Sequence, residues 1–177
     1  MTQYFVNALY LLCALVAMEF VAWAAHKYIM HGWGWAWHRS HHEPGEGVLE
    51  KNDLYAVVFA GLSIVLIAYG AVDHGPTYWI GLGMTLYGFL YFLVHDGLVH
   101  KRWPLRYIPR SGYLKRLYQA HRLHHAVRGR DGCVSFGFLL APPISVLREQ
   151  LRDNVRNGRA TLSEGREERS QMTRARP

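Results

Sequence analysis

Three apolar runs constrain this chain more than any other feature. Tyr4–Ala25 holds 22 residues with Glu19 as its only charge, Leu54–Val72 holds 19 and Thr77–Val94 holds 18, both uncharged. A spanning helix needs roughly 20 mainly apolar residues, so all three qualify. Only Asp73-His74-Gly75-Pro76 separates the second run from the third. That is a tight turn, and the pair reads as a transmembrane hairpin. The first run lacks the positive start of a signal peptide and leads directly into His26, so it reads as a span. Glu19 is costly in lipid and is expected to face the bundle, paired or hydrogen-bonded.

At 177 residues the chain fits one domain. Half its residues are apolar, yet mean hydropathy is near neutral, so apolar blocks must alternate with very polar ones. Gly61, Gly70, Gly81 and Gly88 in the second and third runs are expected to allow close helix contact. Cys13 and Cys133 offer no disulfide framework and are expected to be small buried groups. A fourth apolar block, Val134–Leu147, has 14 residues and contains Pro142-Pro143. That length fits a re-entrant or interfacial element. Leu147, Leu151 and Val155 then recur every fourth residue, which predicts a short helix lying on the membrane up to Gly158. Residues 1–157 form the expected membrane domain, and 158–177 read as a charged, disordered tail.

The net charge is +7, and its placement favours a membrane surface over nucleic acid as partner. Twelve Lys and Arg lie between Lys27 and Arg130 and eight from Arg148 onward, with none in Met1–Gln3 or Asp73–Pro76. The positive-inside rule therefore predicts a periplasmic N-terminus and a cytoplasmic histidine side and C-terminus.

Ten of the eleven histidines fall into two copies of one pattern, each beginning at the end of an apolar run. The first is His26-x4-His31, then His38-x2-His41-His42; the second is His95-x4-His100, then His121-x2-His124-His125. Neutral imidazole is the commonest transition-metal ligand, and ten imidazoles suffice for two metals. Histidines at i, i+3 and i+4 share one helical face, so each His-x2-His-His triplet is expected to converge on a point. Five residues advance about 500° on an α-helix, so the i+5 pairs require a helix end or a bulge. Gly32 and Gly97 make such irregularities easy. The hairpin returns both copies to one side of the membrane and leaves His74 alone on the other. Asp96, Asp53, Glu50, Glu43 and Asp131 are candidates for orienting imidazoles from behind. The expected class is an all-α membrane bundle of three spans, a short fourth apolar element and a cytoplasmic dimetal cap.

At these residues the chain resembles the integral-membrane fatty-acid-hydroxylase and sterol-desaturase superfamily. Within it, the chain is similar to the bacterial β-carotene 3-hydroxylases. His38-Arg39-Ser40-His41-His42, Glu50-Lys51-Asn52-Asp53, His95-Asp96-Gly97-Leu98-Val99-His100 and His121-Arg122-Leu123-His124-His125 carry the likeness, which runs from about Met18 to Pro143. It implies a non-haem di-iron monooxygenase that uses O2 at C3 of a β-ionone ring, taking β-carotene through β-cryptoxanthin to zeaxanthin. No nicotinamide or flavin fingerprint is present, and two distant cysteines cannot hold an iron–sulfur cluster. Electrons must then come from a separate reduced ferredoxin or an equivalent donor. The basic stretch Lys101, Arg102, Arg106, Arg110, Lys115 and Arg116 would either steer such an acidic partner or anchor to lipid. Alternatives are a sterol or fatty-acyl hydroxylase or desaturase, a carotenoid ketolase, or a zinc- or copper-handling protein. Clustering of the histidines at one interface argues against the last, because transporters bind near the bilayer midplane. Imidazole accepts iron and zinc alike.

Overall fold

A computed structural model describes residues 1–43, 49–102 and 107–163. Helix α1 (Thr2–Ala24) continues as π turns over Ala25–Trp33, and α2 (Trp35–His42) follows. Then come α3 (Asp53–Gly70) and α4 (Pro76–Tyr91), the latter continuing as π turns over Phe92–Val99. With these extensions the three long helices have 32, 18 and 24 residues, each long and apolar enough to cross a membrane. Many of their large apolar side chains are exposed, among them Phe5, Val16, Val57, Val65 and Phe89. On helices of this length, so much apolar surface marks contact with lipid.

Helix α4 is central, with α1 and α3 packed against it. One glycine serves each neighbour. A Cβ at Gly81 would stand 2.7 Å from Ile67 Cγ1 of α3, and one at Gly83 would stand 2.8 Å from Ala14 Cβ of α1. Ser63 Oγ and Thr85 Oγ1, 2.7 Å apart, lace α3 to α4 beside Gly81. Gly70 also meets the backbone of Tyr78, as expected for a packing glycine. Gly61 and Gly88 do not, since open space surrounds both. Cys133 is buried, but Cys13 is exposed on α1 because that face of the helix has no protein partner.

The compact core lies beyond the spans. Helix α5 (Gly112–His124) presents Leu117, Ala120 and Leu123 to Leu147 and Leu151 of α6 (Ile144–Arg156). The sequence predicts that this last helix lies on lipid. It packs on protein instead, because the apolar face of α5 needs a cover and α6 supplies it. Leu147 is 1% exposed, whereas Val155 remains at the surface. Strand β1 (Val127–Arg128) pairs antiparallel with β2 (Thr161–Leu162). The fold thus continues past Gly158, where side-chain patterning alone gives no signal; the rest of the expected tail, 164–177, lies outside the described residues.

The fourth apolar block enters the bundle without helix until Ile144. Backbone that is not helical must find partners when it leaves water, and Glu19 supplies them. Its Oε1 accepts the N–H groups of Phe138 and Leu140 at 2.8 Å each, and its Oε2 accepts the Tyr87 hydroxyl at 2.8 Å. Seven residues separate Glu19 from His26, about 10 Å along a helix. The segment therefore dips into the bundle and returns.

Candidate metal centre

The π turns solve the i+5 problem. Their hydrogen bonds run from i to i+5, so residues five apart come to lie over one another. His26 and His31 have ring centroids 5.1 Å apart, and His95 and His100 lie 4.6 Å apart. Gly32 ends the first π segment with a non-helical backbone. The two motif copies then meet across the cap, and all ten histidines cluster. His74 does not join them. It sits in the α3–α4 turn against Tyr78, at the far end of α3, a helix of about 27 Å at 1.5 Å per residue.

Within the cluster, ring nitrogens of His26, His31, His38 and His124 lie within 4.8 Å of one another, as do those of His41, His95, His100 and His121. Each triplet is therefore divided rather than convergent. The outer members at i and i+4 face one group, while the middle one, at i+3, turns to the other. His42 follows His38 into the first group, its Nε2 3.2 Å from that of His124. His125 follows His121, with centroids 4.5 Å apart. His42 and His125 stack at 4.4 Å where the groups meet.

Protonation tests whether these rings suit a metal. In the first group His26, His31 and His124 each turn Nδ1 onto a backbone carbonyl, those of Phe136, Arg130 and Val134, at 2.7–3.0 Å. A carbonyl only accepts, so each Nδ1 carries the proton and each Nε2 carries a bare lone pair. His38 Nδ1 likewise faces Asn52 Oδ1 at 2.7 Å. Yet the Nε2 atoms of His26 and His38 are 3.1 Å apart, and so are those of His31 and His124. Lone pairs facing at that distance repel unless a cation lies among them. Ligands about 2.1 Å from one ion stand roughly 3.0–3.4 Å from each other, which is the spacing found. His125 Nε2 and His42 Nδ1 are buried without a hydrogen-bond partner. The donor set fits a pair of metal ions.

The second group leans on carboxylates. His95 Nδ1 meets Asp96 Oδ1 at 2.7 Å, and His41 Nδ1 meets Glu50 Oε2 at 3.3 Å. Arg102 joins this side, forming two 2.8 Å hydrogen bonds to Asp53 and lying 3.7 Å from Asp96. Hence Asp53 holds a guanidinium rather than an imidazole, and Arg102 is committed inward rather than offered to a partner. Arg106 lies outside the described residues. Glu43 and Asp131 pair with Arg39 and Arg130 at the exposed surface, and among the described hydrogen bonds neither holds a histidine, although the Asp131 charge acts on His31. Asn52 and the three backbone carbonyls are functional groups the sequence reading missed. Asn52 had a signal, since it stands between Glu50 and Asp53, but a carbonyl has no side-chain signature.

Burial keeps these imidazoles of the cap neutral. It pushes His38 and His100 down to about 4, the latter helped by the Arg102 guanidinium, and together with neighbouring imidazoles it holds His41, His121 and His124 well below the usual range. Neutral imidazole is the form that binds metal. Cys133 Sγ is close to His42 and His124, but burial pushes the thiol up to about 12. Without a metal it is therefore a protonated neighbour of these two rings.

An apolar cavity of 410 Å³ leads from His26, His95 and His121 down between α1, α3 and α4, walled on one side by Phe136 and Phe138. The fatty acid hydroxylase family model matches residues 11–142, a span that contains every motif histidine. The chain belongs to this family. It is 63% identical over 164 residues to "Beta-carotene hydroxylase" of Pantoea ananas, covering 92% of this chain and 94% of the relative. A protein of the same name from Paracoccus sp. (strain PC1) is 56% identical over 153 residues, covering 86% and 92%. "Beta-carotene 3-hydroxylase 1, chloroplastic" of Arabidopsis thaliana is 43% identical over 133 residues, 73% of this chain and 42% of the relative. No solved structure matches the chain. Membership in this family goes with the histidine cluster and makes the chain an oxygenase-type enzyme.

Proposed function

We propose that this protein is a carotenoid ring hydroxylase that uses O2 to hydroxylate C3 of β-ionone rings, converting β-carotene to β-cryptoxanthin and then zeaxanthin. The observation that carries the reading is the junction of two nests of neutral imidazoles with an apolar cavity among membrane-length helices. The substrate class rests on the names of relatives 56–63% identical over most of the chain. The same names weigh against sterol or fatty-acyl substrates and against metal handling.

His26, His31, His38, His42 and His124 would hold one iron, and His41, His95, His100, His121 and His125 the other. The iron pair, when bound, supplies activation of O2 with electrons from an external reduced ferredoxin or equivalent donor. The chain's own residues do the rest. Nδ1–H bonds to Phe136, Arg130, Val134, Asn52, Asp96 and Glu50 fix six of the ten imidazoles, those of His26, His31, His124, His38, His95 and His41, with the lone pair inward. The carboxylates behind His95 and His41 raise the basicity of those rings. Phe136, Phe138 and Tyr91 line the approach with apolar surface, which excludes water and leaves a ring carbon as the group presented to the centre. The one-sided distribution of Lys and Arg supports a cytoplasmic cap and a periplasmic N-terminus.

Expression in a cell that accumulates β-carotene, followed by pigment analysis under labelled O2, tests the proposal. Zeaxanthin carrying the label is the expected result. An unlabelled hydroxyl would remove the monooxygenase claim, and no hydroxylated carotenoid at normal membrane levels would remove the substrate. Metal analysis of the purified protein separates iron from zinc.

A further inference from the structure

The cavity is open along one side. Ala56, Ala60 and Ile64 follow one another every fourth residue on α3, and Thr85, Gly88 and Phe92 do so at three and four residues on α4. All six line the cavity and all six are exposed. Nothing lies within 4 Å of where a Gly88 Cβ would be. The two helices meet tightly below this level, at Gly81 against Ser63 and Ile67, where the Ser63–Thr85 hydrogen bond closes the far end. Between that lacing and the histidines, α3 and α4 border a slot whose rim lies on helices that face lipid.

Depth argues for what the slot does. Ten residues separate Thr85 from His95, about 15 Å along a helix. An all-trans C40 polyene is a rod far longer than that, so it cannot lie wholly inside. With one terminal ring at the histidines, its remainder must leave the protein sideways. The rim suits such a passage: Ala56, Ala60 and Gly88 are small, and none of the six rim residues is charged.

We infer that the slot between α3 and α4, with Ala56, Ala60 and Gly88 on its rim, is the lateral entrance through which a carotenoid slides from the bilayer to the metal centre. The inference rests on the carotenoid reading above. The far ring stays in lipid, so hydroxylation of the second ring requires release and entry from the other end.

Two glycines provide a matched test. Gly88 and Gly61 both sit in membrane-length helices with open space around them, but only Gly88 lines the cavity. Gly88→Phe should cut product at least about ten-fold, in the range by which pocket sterics discriminate, with both metals retained and normal membrane levels. Gly61→Phe should stay near wild type. If Gly88→Phe does not accumulate, Ala60→Phe across the slot carries the same expectation. β-Carotene that co-purifies with the protein, read by its absorbance, reports entry separately from chemistry. Wild type that retains β-carotene without product would overturn the proposed reaction and leave the slot standing. Full activity of Gly88→Phe or Ala60→Phe, equal losses in Gly61→Phe and Gly88→Phe, or no retention by wild type would each overturn the slot.

Discussion

His26, His31 and His124 rest their Nδ1–H groups on backbone carbonyls, whereas His41 and His95 rest theirs on carboxylates. The two groups come from the same duplicated motif, yet they are supported in different ways. Carbonyl support is neutral, and it comes from the loop between β1 and α6 as that loop dips into the bundle. Carboxylate support is charged, and it comes from the cap beside α3 and α4, where Arg102 ties Asp53 and Asp96 together. A carboxylate behind an imidazole makes it a more basic ligand. The two ions of the proposed pair should therefore differ in affinity and in which part of the fold controls them.

The largest effects should come from the rings themselves. His124→Ala in the first group and His95→Ala in the second should each reduce hydroxylation by more than about 100-fold, since even partners behind ligands cost about 10–100-fold. His74→Ala should be silent. Product formation normalised to membrane level is the measurement, and loss of activity in His74→Ala would undo the division between clustered and distant histidines.

Next in size is a pair that separates the two groups. Asp96→Ala and Asn52→Ala should each lower activity about 10–100-fold, with metal lost from the second group in one and from the first in the other. Spectroscopy of iron-loaded protein distinguishes a half-occupied centre from an empty one. Asp96→Asn keeps an acceptor for His95 but removes the charge, so it should recover only part of the loss. If both alanine variants shed both metals in step, the two supports act as one.

Arg102→Gln should be milder, roughly the lower end of that range, because the Arg102 hydrogen bonds go to Asp53, beside Asp96, and reach the second group chiefly through these carboxylates. Glu43→Gln, on the exposed surface, serves as its control and should not change activity.

The smallest effect should follow shortening of the chain. Arg159 and Ala160 press against Gly132, between the Arg130 and Val134 carbonyls that hold His31 and His124. Removing 159–177 should loosen the first group and lower thermal stability, whereas removing 164–177 should do less. Melting curves of the two truncations in detergent decide it, and identical curves would show that the β1–β2 pairing has no part in holding the centre.

Much of this was legible beforehand. Apolar length alone gives the three spans, and a four-residue turn makes two of them a hairpin. The hairpin then brings both histidine copies to one face and leaves His74 on the other. The cost of a charge in lipid sends Glu19 inward, where Tyr87, Phe138 and Leu140 meet it. The i+5 spacing demanded a departure from α-geometry, and π turns are what it became. All of these follow from local spacing and from the solvent that each segment can tolerate.

Tertiary structure decided the rest. Which ring of a His-x2-His-His triplet joins which group depends on the helix opposite each flank, and spacing within one helix cannot express that. Backbone carbonyls at Arg130, Val134 and Phe136 became ligand supports because a non-helical loop enters the bundle there, and a carbonyl is the same at every residue. Leu147 and Leu151 show the periodicity of a membrane-surface helix, but α5 left a complementary face open and protein took the place of lipid. The sequence determined which side chains can meet on one side of a membrane; their division into two differently supported groups was settled only by packing.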